Sequence, residues 1–119
     1  MENLYKTIDV IVAQLKKDRL AQNFLGLLTS GEALLEYMPG LINHSIEQES
    51  LYRKFEAELA NKRDSADKPF SNAYCETQAK ATDYYKEWQK AKQFIELMYE
   101  MVNMAKALGR GVNREFNSQ

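Results

Sequence analysis

The stretch YYKEWQKAKQFIELMYEMVNMAKAL, residues 84–108, decides the fold of this chain because two apolar stripes run along it at helical spacing. The first stripe has alternating spacings of four and three: Tyr84, Trp88, Ala91, Ile95, Met98, Val102 and Ala105. Such a stripe is the heptad seam of a helix that packs lengthwise against a neighbour. It predicts one long amphipathic helix from about Ser71 to about Leu108.

The second stripe lies beside the first and widens the apolar face of this helix. It consists of Phe94, Leu97, Met101, Met104 and Leu108. One antiparallel neighbour cannot cover both stripes, and an exposed surface rich in Met and Leu normally marks an interface. Self-association is the simplest use of such a surface. We therefore expect a homo-oligomer whose interface is formed by these five residues.

The segment before the long helix predicts its antiparallel partner. Apolar residues at helical spacing favour a helix from Ser45 to about Asp64, and a polar loop follows at 65–69. Ser71 is then placed to cap the next helix, with Phe70 stapling onto Cys75. A short loop favours antiparallel neighbours, so residues 45–108 should form a coiled-coil-like hairpin.

The N-terminal part predicts two further helices. One helix is expected over about 3–28, with an apolar stripe made of Leu4, Ile8, Ile11, Leu15, Leu20, Phe24 and Leu27. Thr29 and Glu32 have the spacing of a capping box for a short helix at 30–38. Pro39 and Gly40 should then bend the chain.

The predicted fold class is thus all-α: a long helical hairpin with an N-terminal helix and a short kinked helix, forming an oligomer. We expect one domain over 1–119, divided into N-terminal helices at 1–38, the hairpin at 45–108 and a tail at 109–119. Gly109 should end the long helix.

Composition excludes several classes of protein. The chain has 119 residues, 16 basic and 17 acidic side chains, a net charge of −1 and 45% hydrophobic residues, which is enough for a folded core. Its single cysteine cannot form an intramolecular disulfide. No apolar run approaches the ~18 residues that a membrane helix needs. We therefore expect a cytoplasmic protein without a membrane partner.

Catalytic and metal-binding constellations are not evident. His44 is the one histidine and Cys75 the one thiol, so a zinc site or a Cys–His pair would depend on these two residues. We expect no enzymatic activity, no cofactor, no metal and no small-molecule substrate. The roles of His44 and Cys75 stay open, and Cys75 has the character of a small buried hydrophobic residue.

An aromatic and cationic edge flanks the heptad seam. Tyr85, Lys92, Tyr99 and Lys106 recur every seven residues, Arg110 follows one turn later and Arg114 lies in the tail. Cations that contact phosphates and rings that stack on bases are a common way to hold single-stranded nucleic acid. The alternative is that these residues flank the seam and cover it with their side-chain stems.

The order of these elements resembles the UvsY-type recombination mediators of tailed bacteriophages, over about residues 32–116. The matching features are the helix 47–63, a short polar loop, a long amphipathic helix, Gly109-Arg110-Gly111 and the tail Asn113-Arg114-Glu115-Phe116. The resemblance implies a small helical protein that assembles into rings and helps load a recombinase on single-stranded DNA in a bacterial or phage-infected cell. It implies contact between the DNA backbone and Lys106, Arg110 and Arg114.

Two functional hypotheses therefore follow from the sequence. The first is a non-catalytic, oligomeric accessory protein that organises single-stranded DNA or a recombinase. The second is a protein-only adaptor or structural subunit that binds partner helices through the 94–108 stripe and through Leu20, Phe24 and Leu27.

Overall fold

The all-α prediction is confirmed by the computed structural model, which describes the backbone of residues 1–117 and the side chains of residues 1–108. This part of the chain forms four helices: α1 (Glu2–Leu20), α2 (Phe24–Ala60), α3 (Asn72–Lys80) and α4 (Asp83–Asn117). They belong to two compact units. Unit 1 comprises Met1–Gly40 and Phe94–Gln119, and unit 2 comprises Leu41–Gln93.

The end of α1 corrects the helix predicted over 3–28, because α1 stops at Leu20. The Asn23 N–H donates to the Asp18 carbonyl at 2.8 Å, and Gln22 has a left-handed backbone with φ of 56°. This is a Schellman ending, in which glycine usually occupies the left-handed position. Glutamine occupies it here, so the sequence carries no visible stop signal.

The start of α2 corrects the capping box predicted for Thr29 and Glu32. Asn23 caps the helix instead, since its side-chain oxygen accepts from the Gly26 N–H at 3.1 Å. Thr29 lies inside α2, where its hydroxyl donates to the Leu25 carbonyl at 3.0 Å. The helix therefore begins earlier than its most obvious sequence signal.

The course of α2 overturns three further predictions: the short helix at 30–38, the bend at Pro39 and Gly40, and a separate helix from Ser45. Pro39 lies inside one continuous helix. A seam of residues at alternating spacings of four and three explains this continuity. It consists of Leu27, Gly31, Leu34, Met38, Leu41, Ser45, Gln48 and Tyr52. All of these residues are buried except Gln48, which is half-buried. Burial of this seam outweighs the ~3 kcal/mol that an interior proline costs.

The polar loop after α2 is confirmed, and so is the cap that follows it. The hydroxyl of Ser71 accepts from the Tyr74 N–H at 3.1 Å at the start of α3. The Phe70 ring stacks on that of Tyr74, with 4.9 Å between ring centroids. Cys75, the predicted staple partner, is buried.

The long helix predicted from Ser71 to Leu108 is wrong at one point, because α3 and α4 are separate helices. Thr82 makes the break: its hydroxyl donates to the Ala79 carbonyl at 2.6 Å and accepts from the Tyr85 N–H at 3.3 Å. The second bond is an N-cap for α4.

The far end of α4 corrects another prediction, because the helix runs on past Gly109. Glycine within a helix costs about 1 kcal/mol relative to alanine but does not end it.

The heptad seam of α4 is largely confirmed. Ala91, Met98, Val102 and Ala105 are buried, Trp88 and Ile95 are half-buried, and Tyr84 is exposed.

The core of unit 1 includes the apolar stripe of α1. Ile8 and Leu15 are fully buried, as the spacing predicted, and Leu20, which the same stripe included, is 88% exposed.

No helix in the described part of the chain is long and apolar enough to cross a membrane.

Asp18 ties the corner between α1 and α2 together. This buried carboxylate accepts from the Gln14 amide at 2.9 Å. A Cβ on Gly26 would lie 2.6 Å from Asp18 Oδ2 and 2.8 Å from Asn23 Nδ2. Gly26 is therefore required for this close approach.

Gly26→Ala and Gly40→Ala should change the free energy of unfolding in opposite directions, although both glycines lie in α2. Alanine at Gly40 meets nothing within 4 Å, so it should add about 0.5–1 kcal/mol to the free energy of unfolding. Alanine at Gly26 overlaps Asp18 and should lose about 1–3 kcal/mol through overpacking. Urea unfolding followed by circular dichroism measures both, and equal stabilities would contradict the Asp18 contact.

Candidate interaction surfaces

Two of the predicted nucleic-acid residues in unit 1, Tyr99 and Lys106, lie on the exposed side of α4. Tyr99 is 48% exposed, and Lys106, one heptad further on, is exposed. The side chains of Arg110 and Arg114 lie outside the described residues. Tyr99 therefore offers a ring, and Lys106 a charge, to solvent.

The predicted nucleic-acid residues in unit 2 belong to an internal aromatic cluster. The half-buried Tyr85 ring lies 5.1 Å from that of Tyr52 and 5.9 Å from that of Trp88, between centroids. Lys92 is exposed, and its ammonium lies 5.0 Å from the Trp88 centroid. Tyr85 and Lys92 thus have partners within the chain.

Arg53 completes this cluster, and the sequence did not single it out. Its guanidinium lies 5.6 Å from the Tyr52 centroid and 5.8 Å from that of Trp88, while these two rings stack at 5.6 Å. Burial raises the pKa of the Tyr52 hydroxyl, and the carboxylate of Glu56 adds to the rise. The cluster combines aromatic packing with cation–π attraction, both of which stabilise a core.

His44 and Cys75 occupy separate positions in unit 2. His44 Nε2 lies 2.9 Å from Glu87 Oε1, which forms a part-buried pair in unit 2. Cys75 is a buried free thiol. No group of three or more His, Cys, Asp or Glu residues in the described part of the chain is arranged to hold a metal ion.

The predicted oligomer stripe on α4 is half-buried at every position, Phe94, Leu97, Met101, Met104 and Leu108. Within unit 1, the Phe94 ring lies 4.5 Å from the Tyr5 ring of α1, between centroids. Helix α1 thus covers the beginning of the stripe. Self-association through these five residues stays a prediction.

An apolar groove between α2 and α4 is the most distinctive surface of unit 1. It encloses about 220 Å³ and is lined by Leu28, Gly31, Glu32, Leu35, Val102, Ala105 and Lys106. The two helices approach closely at its floor, since a Cβ on Gly31 would lie 3.2 Å from the Ala105 Cβ. Leu28 and Leu35 stand on the α2 wall, each 40% exposed.

The groove carries one charge on each wall. Glu32 lies on α2 and Lys106 on α4, and both are exposed. This surface could not be predicted from the short helix expected at 30–38 and the bend expected at Pro39, because it requires one continuous α2. The available signal was the spacing of seven between Leu28 and Leu35 on one helix face.

Comparisons with models of protein families, with curated proteins and with solved structures found no match to this chain.

Tyr52→Ala and Tyr99→Ala should affect stability very differently. Tyr52 is buried against two rings and a guanidinium, so its truncation should lower the free energy of unfolding by about 3–5 kcal/mol. Tyr99 is exposed, and its truncation should change that free energy by no more than about 0.5 kcal/mol. Urea unfolding of the two variants by circular dichroism tests this, and a stable Tyr52 variant would refute the role of the cluster.

Proposed function

We propose that this chain is a non-catalytic helical protein that works by associating with further copies of itself through the apolar surface of unit 1. The observation that carries the proposal is a pair of leucines on one face of α2, Leu28 and Leu35, each 40% exposed. Leu28 and Leu35 border a groove that is itself apolar. An apolar groove bordered by exposed leucines is the kind of surface at which proteins associate.

A second copy is the partner that this surface fits, because its two walls carry opposite charges. A self-complementary surface must present to its partner what the partner presents to it. Glu32 and Lys106 satisfy that condition for charge, and the leucines satisfy it for apolar area. Because Leu28 and Leu35 are each 40% exposed, burial of the rest of each side chain contributes about 1 kcal/mol to the driving force.

The mass of the purified protein should exceed the monomer mass of 13.8 kDa and rise with concentration to a discrete value. Leu28→Glu/Leu35→Glu should shift this protein to the monomer, because it places charge on the apolar wall. Light scattering coupled to size exclusion measures the mass.

Val10→Glu is the matched control for this test. Val10 is 69% exposed on α1 and does not line the groove, so this variant should keep the wild-type mass. A wild-type protein that is monomeric at every concentration would contradict the proposal.

A second candidate function is the one that the resemblance implies, an accessory protein for single-stranded DNA or a recombinase. The observation that favours it is the exposure of Tyr99 and Lys106 one heptad apart on α4. A ring of this kind can stack on a base, and the ammonium can contact a phosphate. The function does not require the rings of the unit 2 cluster.

Binding of a fluorescent oligo-dT should fall steeply between ~50 mM and ~200 mM salt if this second function holds. Tyr99→Ala should then weaken binding by about fivefold or more at low salt, through loss of stacking. Tyr37→Ala removes a comparably exposed tyrosine from α2 and should leave binding unchanged. Fluorescence anisotropy measures these affinities, and the absence of binding at low salt would exclude the function.

A further inference from the structure

We infer that two copies of this chain pair through the unit 1 groove about a two-fold axis that runs along the groove, so that α2 of each copy lies over α4 of the other. The inference rests on the proposed function and adds to it the interface, its symmetry and the residues that select the arrangement. In this dimer Glu32 of each copy faces the partner's Lys106.

The positions of Glu32 and Lys106 along the groove follow from the point at which α2 and α4 approach most closely. Gly31 and Ala105 meet at the groove floor, where a Cβ on Gly31 would be 3.2 Å from the Ala105 Cβ. Glu32 and Lys106 are the next residues of their helices and line the same groove. The acid and the base therefore stand at the same level on opposite walls.

Symmetry then decides which charges meet. A two-fold axis along the groove places α2 over the partner's α4, and each Glu32 stands opposite the partner's Lys106. An axis across the groove places α2 over the partner's α2, and the two carboxylates of Glu32 face each other. Two attractive pairs replace like-charge contacts in the first arrangement, so the charges select it.

The leucines supply the affinity that the charges do not. Rim ion pairs in water contribute only about 0–1 kcal/mol each, so their role is to fix orientation. In the same arrangement Leu28 and Leu35 face the floor of the groove beside the partner's Ala105. Gly31 and Ala105 are small, which leaves room for an incoming side chain.

Charge exchange between the two walls tests this arrangement. Glu32→Lys and Lys106→Glu should each weaken self-association by about tenfold at low salt, since each variant replaces two attractive pairs by two repulsive ones. The double variant Glu32→Lys/Lys106→Glu should restore the wild-type affinity. An equimolar mixture of the two single variants should also associate, because one copy then has two lysines and the other two glutamates.

Sedimentation equilibrium on the wild type, the variants and the mixture gives these affinities, and circular dichroism checks that each variant is folded. Glu36→Lys is the matched control: it makes the same charge change on α2, at an exposed position that does not line the groove. It should associate as the wild type does.

The outcomes separate this inference from the proposed function. Single variants that associate like the wild type would overturn the groove arrangement and leave self-association intact, as would a double variant and a mixture that both fail to restore affinity. In either case Met101→Glu would test the stripe on α4 as the interface. A monomeric wild type would overturn both the arrangement and the proposed function.

Discussion

Burial of one uninterrupted seam along α2 is the constraint on which the rest of the structure depends. Its members follow each other at spacings of four and three from Leu27 to Tyr52, on both sides of Pro39. A helix that ended at Pro39 would break the continuity of this seam. The apolar side chains of the seam therefore hold the helix together where local propensity opposes it.

The same seam explains why unit 1 keeps apolar side chains in solvent. Gly31 is a seam residue without a side chain, and it meets Ala105, which allows α2 and α4 to come close together. Leu28 and Leu35 lie beside the seam rather than in it, so they stand at the edge of the contact and remain partly exposed. The groove therefore forms because the small residues Gly31 and Ala105 pack tightly at its floor while the larger Leu28 and Leu35 stand at its edge.

The two tyrosines of the predicted aromatic and cationic edge, Tyr85 and Tyr99, have different surroundings. In unit 2, Tyr52, Tyr85 and Trp88 pack on one another beneath the cations of Arg53 and Lys92, so their rings stabilise the unit. In unit 1, Tyr99 keeps about half of its surface exposed. The regular spacing of Tyr85, Lys92, Tyr99 and Lys106 in the sequence concealed this difference, because periodicity reports the helix face and not what packs on it.

The sequence alone determined the helical class, the buried positions of α4, the polar loop and the cap at Ser71, because each depends on local spacing or on a local hydrogen bond. Only the tertiary structure decided where the other helices begin and end. Gln22 occupies a position that normally holds glycine, Thr82 breaks a helix that its neighbours favour, and Pro39 is retained within one. Local signals at these points are ambiguous, and long-range packing resolves them. The groove has the same origin, since residues near 31 and 105 meet only when the chain has folded.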